Sequence, residues 1–169
     1  MSTATEPTVY FAGEDGEQLT LALSELPSLA GRRFAGEWWS VARERSEHFE
    51  VGTYLDAMRN PWPDGSFPPR LLEGFHLLGL LDYMLNALFF VRGPNAYGLN
   101  YGLDRVRFIS PISLDDEIRL TGVVAEVREK GLGFLVRQDC TVEVRGREQP
   151  GFVAQWWIYW LTEEPFGTE

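Results

Sequence analysis

Cysteine occurs once in 169 residues, as Cys140, so neither an intrachain disulfide nor a cysteine-rich zinc site can form. Histidine occurs twice, as His48 and His76, without ligand-like spacing, and no metal site is expected. No segment reaches the roughly 18 uncharged apolar residues of a membrane helix. The richest stretch, 71–91, is interrupted by Glu73, His76, Asp82 and Asn86. The opening MSTATEPTVYFAGEDGE lacks the basic and apolar regions of a secretory leader, so a cytoplasmic protein is expected. Cations are scarce, with 15 Lys and Arg against 25 Asp and Glu. The formal net charge of −10 makes nucleic acid and anionic membrane repelled partners. A Gly-x-Ser-x-Gly elbow, a phosphate loop and a dinucleotide fingerprint are all missing, and Gly131-Leu132-Gly133 reads only as a turn.

What remains is globular composition, without internal repeats, at a length that suits one domain. Folding at this size removes roughly two-thirds of the unfolded chain's surface from water, enough for a core without staples. Residues 1–17 are small, acidic and polar and read as a flexible arm. Residues 18–31 hold enough leucine to pack, with Pro27 interrupting; 37–42 (EWWSVA) reads as a short strand and 43–55 as a short helix. Four prolines within 60–70 (NPWPDGSFPPR) dictate a loop, because proline cannot donate and biases its predecessor away from helix. Its aromatics Trp62 and Phe67 favour a packed loop or lid over a linker.

The 71–90 segment is the long helix. Leu71, Phe75, Leu78, Leu81 or Asp82, Leu85 and Phe89 fall at three- and four-residue steps, and Leu77, Leu80, Met84 and Leu88 add a second stripe. Apolar residues on nearly all sides predict a helix buried all round, ending near Arg92-Gly93-Pro94. The rest reads as strands: 105–109, 117–128, 134–144 and 151–161. In 134–144, Phe134, Val136, Gln138, Cys140, Val142 and Val144 form one rather apolar face at period two. A buried helix followed by long antiparallel strands is an α+β pattern, most simply packed with the sheet around the helix. Adjacent Trp156 and Trp157 point to opposite faces, so one must meet a helix, a partner or a ligand.

Three stretches together resemble the MaoC-like acyl dehydratases, especially the branch that includes nodulation protein N. Leu72-Glu73-Gly74-Phe75-His76-Leu77-Leu78 is similar to that family's Ala-His-Gly-Phe entry into its central helix. Asn100-Tyr101-Gly102 leading to Arg107-Phe108 is similar to its Asn-Tyr-Gly run before Arg-Phe. Ser110-Pro111-Ile112, continuing through Asp115-Asp116 to Arg119, stands where the family has Pro-Val followed by Gly-Asp and a strand. Order and spacing agree over roughly 32–162. The resemblance implies a hotdog fold over 18–169, in which a long central helix is wrapped by a curved antiparallel sheet. It also implies a dimer or hetero-oligomer of hotdog subunits. The ligand it implies is an acyl thioester of coenzyme A or a carrier protein, bound as substrate with no cofactor.

Family members add water to a trans-2-enoyl thioester, giving the (R)-3-hydroxyacyl product, or run the reverse. An Asp and a His five residues apart handle the water, and amides at the helix start hold the thioester oxygen. This sequence departs there. Alignment on Phe49 puts Leu55 and Asn60 at the dyad positions; alignment on Asn60-Pro61 puts Met58 and Pro63 there. The family's His before the glycine is Glu73. The expected proton-transfer groups are therefore Asp56, Glu73 and His76, with Tyr54, Asn60, Trp62 and Gly74 contacting substrate. Five of these have a plain structural alternative: capping or surface roles for Asp56, a first-turn acid for Glu73, a satisfied core histidine for His76, packing for Tyr54, and close helix–sheet contact for Gly74. Three activities fit: a hydratase/dehydratase or related lyase or isomerase with a rebuilt acid–base set; a thioesterase using Glu73 as base or nucleophile; or a silent thioester-binding or structural subunit of a heteromeric hydratase.

Overall fold

The computed structural model describes residues 18–57 and 70–162. The arm expected over 1–17 and most of the proline-rich loop, with Asn60 and Trp62, lie outside the described residues.

The chain begins with β1 (Leu19–Ala22) and a 3-10 turn over Leu23–Leu29, in which Pro27 sits and Leu26 and Leu29 are buried. Then come β2 (Arg33–Ala35), α1 (Arg43–Gly52), α2 (Gly74–Asn86), β3 (Phe89–Arg92), β4 (Tyr97–Phe108), β5 (Ile118–Lys130), β6 (Gly133–Val144) and β7 (Phe152–Leu161). Five strands form one antiparallel sheet in the order β2-β5-β6-β7-β4. β1 and β3 pair in parallel as a separate ribbon. Among the described residues, no helix is long and apolar enough to cross a membrane.

Period-two alternation sets the sheet's faces. On β6 and β7, Val136, Cys140, Val142, Phe152, Ala154, Trp156, Ile158 and Trp160 turn inward and pack with Leu77, Leu81, Met84 and Leu85 of α2. Burying each such large side chain contributes about 1.5–3 kcal/mol, so this helix–sheet contact is the core. Trp157 turns outward instead. Its indole N–H donates to Asp104 at 2.8 Å, and the guanidiniums of Arg128 and Arg137 lie 5.0 and 5.5 Å from its ring. The outer tryptophan is thus covered by cations of its own sheet.

Four expectations need correction. The helix is shorter than 71–90: Glu73 caps its start, and it ends at Asn86 because Phe89–Arg92 pairs with β1 and alternates buried with exposed. It is not buried all round either. Phe75 is 74% exposed and Tyr83 61%, so α2 presents a face away from the sheet. Segment 37–42 is no strand; Trp39 alone bridges to Ile118. β4 runs further back than expected, from Tyr97, through Gly98, Asn100 and Gly102, which weaken a strand signal and here accompany bulges.

Candidate active site

The start of α2 gathers the candidate groups. Glu73 is the N-cap: its carboxylate accepts the Phe75 N–H at 2.7 Å, and its carbonyl accepts the Leu77 N–H at 3.0 Å. An acid at this position satisfies an orphan amide and meets the positive end of the helix dipole. A thioester oxygen approaching these amides therefore finds Glu73 already bonded to one of them.

Gly74 follows because the end of β4 closes over the helix here. A Cβ at Gly74 would stand 3.0–3.3 Å from the Phe108 ring, closer than side-chain carbons normally approach. Phe108 itself is half exposed and tilts against Phe152 at 5.6 Å between centroids.

His76 lies further into the first turn and is only 7% exposed. Phe49 of α1 stacks on its imidazole, with centroids 4.6 Å apart and planes 6° from parallel. Its Nδ1 is buried and has no hydrogen-bond partner among the described residues. Burial holds the pKa below the usual 6.5, partly opposed by the negative charges of Glu73 and Glu50. At neutral pH the ring is thus an uncharged base with an unused nitrogen.

Tyr54 and Asp56 sit differently. Tyr54 follows α1 with φ +62 and is 77% exposed, and Asp56 is exposed too. Neither side chain hydrogen-bonds or ion-pairs with another among the described residues. Glu73, Gly74 and His76 thus stand together, whereas Tyr54 and Asp56 face solvent. Sequence reasoning missed Phe49 and Phe108 as neighbours of this site. Phe108 lies in a stretch that carries the family resemblance and Phe49 in one where the sequence departs from it, and nothing local signals their contact with α2. Among the described residues no three metal-ligating side chains converge.

A cleft of about 310 Å³ opens further along α2, between Leu78 and Leu81 on the helix and Asn100 and Leu103 on β4. Trp156 walls it and donates its indole N–H to Asn100 Oδ1 at 3.0 Å. Asn100 of the Asn-Tyr-Gly run therefore orients an aromatic wall.

No protein-family model matches the chain. Nodulation protein N of Rhizobium leguminosarum bv. viciae is 31% identical over 144 residues, covering 80% of this chain and 89% of that protein. The 3-hydroxyacyl-thioester dehydratase Z of Mycobacterium tuberculosis is 28% identical over 145 residues, covering 79% and 92%. Among solved structures, the unliganded R-hydratase PhaJ1 of Pseudomonas aeruginosa superposes with a TM-score of 0.56 at 18% identity, covering 79% of this chain and 83% of that one. That last likeness is one of fold, the hotdog fold, and matches the helix-and-sheet arrangement described above. Identity at this level over four-fifths of the chain settles the family: the chain belongs to the nodulation protein N family of MaoC-like hotdog proteins.

Proposed function

We propose that the protein is a hydratase/dehydratase of acyl thioesters, adding water across a trans-2-enoyl thioester or removing it from the 3-hydroxyacyl form. The observation that carries this reading is His76: a buried, uncharged imidazole with a free Nδ1, at the amide-rich start of the central helix. The kinship with a protein named for that dehydration supports it.

Hydration needs three things at one place. A base takes a proton from water as its oxygen attacks C3. Donors hold the negative charge that develops on the thioester oxygen. An acid returns a proton to C2. In this reading His76 is the base and the first-turn amides at Gly74 are the donors. Glu73 holds the helix start and the charge beside His76. Asp56 is the remaining candidate acid, and Tyr54, Asn60 and Trp62 are the candidate substrate contacts. The reaction moves protons and water only, so it needs no redox or prosthetic group. A thioesterase using Glu73 as nucleophile or base is disfavoured, because that carboxylate is bonded to the Phe75 amide.

We also place the protein in the cytoplasm as a homodimer joined through β4. Among the described residues that strand is hydrogen-bonded on one side only, to β7, and it carries Leu99, Tyr101, Leu103 and Phe108 between 43% and 53% exposed. A long apolar edge of this kind is a pairing surface unless covered.

The test is incubation with crotonyl-CoA and longer enoyl-CoAs. Loss of the conjugated enone's absorbance without thiol release is the expected result. Thiol release instead means hydrolysis, and no change on any chain length defeats the proposal. Glu73→Gln and Asp56→Asn, made separately, remove each group from the mechanism if turnover is undiminished.

A further inference from the structure

The inner face of β6 carries one polar side chain, Gln138, in a row otherwise made of Val136, Cys140, Val142 and Val144. It is 0% exposed, and neither its Nε2 nor its Oε1 has a hydrogen-bond partner among the described residues. Its neighbours across the sheet are Val124 on β5 and Trp156 on β7, and both point inward. A carboxamide stripped of water with neither end bonded is costly, and a leucine of similar volume would carry no such penalty. Buried polar groups are almost always satisfied, so this one calls for a partner beyond the described residues. Its position suggests which. Trp156, next to Gln138 in register, also walls the cleft between α2 and β4, whose other walls include Leu78, Leu81 and Leu103. One wall of the cleft is therefore the residue that neighbours the unpaired amide in the sheet.

We propose that Gln138 determines specificity by hydrogen-bonding an oxygen function, a hydroxyl or keto group, on the distal part of the acyl chain. The inference rests on the thioester reading and deepens it by naming a substrate class. The carboxamide offers one donor group and one acceptor, which a hydroxyl matches fully and a keto group by half. A plain hydrocarbon chain leaves both unpaired.

The experiment compares wild type, Gln138→Leu and Gln138→Met on a medium-chain trans-2-enoyl-CoA and on matched analogues with a distal hydroxyl or keto group. Wild type is expected to prefer an oxygenated chain by about tenfold or more in kcat/KM, the worth of one hydrogen bond. Both variants are expected to lose that preference while still turning over the plain chain. Thermal unfolding of both variants, expected at or above the wild-type midpoint, shows that the fold is intact. Turnover of both chain types with the same ratio in all three proteins overturns the role of Gln138 and leaves the thioester reading standing, as does a wild-type preference for the plain chain. No turnover of either chain by wild type removes both.

Discussion

Phe49 lies flat on His76, ring centroids 4.6 Å apart, and this stack links α1 to the opening turn of α2. It fixes the plane of the imidazole and shields one of its faces from water. The two consequences separate experimentally, one in the ring's titration and the other in catalytic rate.

For titration, the sign follows from burial. The folded state holds the His76 pKa below 6.5, so between that value and 6.5 the unfolded chain binds a proton that the folded chain refuses. The stability contribution is present in full above pH 6.5 and is lost as pH falls from there through the lowered folded value. Denaturant titrations from pH 8 to 5 should show this decline, and His76→Gln should flatten it. An unchanged slope in the variant would assign the acid sensitivity to other groups.

For rate, His76→Gln should lower hydration roughly a hundredfold or more, the usual worth of a positioned general base. Phe49→Leu keeps the imidazole but frees its plane, and should cost roughly ten- to a hundredfold in kcat with less change in KM. Phe49→Tyr should recover most of that loss. Equal kcat in Phe49→Leu and wild type would show that the stack serves packing only.

Burial pushes the Cys140 thiol up to about 12, with the charge of Asp139 adding to the effect. The thiolate is the reactive form, so Cys140 should resist thiol-directed reagents at pH 8 in the folded protein and react fully once unfolded. Rapid labelling of native protein would contradict its placement in the core.

Gly122 leaves no room for a methyl group: a Cβ there would lie 2.3 Å from the Asp139 carbonyl oxygen and 2.6 Å from the Phe34 ring. Gly122→Ala must push β2 or β6 away from β5 and should cost about 1–3 kcal/mol or more in unfolding free energy. A melting temperature equal to wild type would refute that packing.

If β4 is the joint between two copies, Leu103→Glu places a charge on it and should shift sedimentation toward the monomer, with little change in the far-UV spectrum. A dimer that survives this change at micromolar concentration uses another surface.

Much of the fold was legible because strand alternation and helix periodicity are local. The faces of β6 and β7, the opposed pair Trp156 and Trp157, and the α+β class all follow from spacing. What escaped is what contacts decide. Phe89–Arg92 reads as more helix until its pairing with Leu19–Ala22 is known, and the strand that reads as starting at Arg105 starts at Tyr97 once β7 supplies the ladder. At the site, Glu73, Gly74 and His76 stand together because they lie within four residues at the cap and first turn of one helix. Phe49 and Phe108 come from other elements, so only folding brings them there.

The parallel ribbon of β1 and β3 has a kinetic meaning. Leu19 cannot meet Phe89 until the whole intervening chain, with α1 and α2, has been laid down. Closing so large a loop is entropically slow, so this ribbon should latch late in folding and be first to open, as a clasp drawn over the far end of the finished helix.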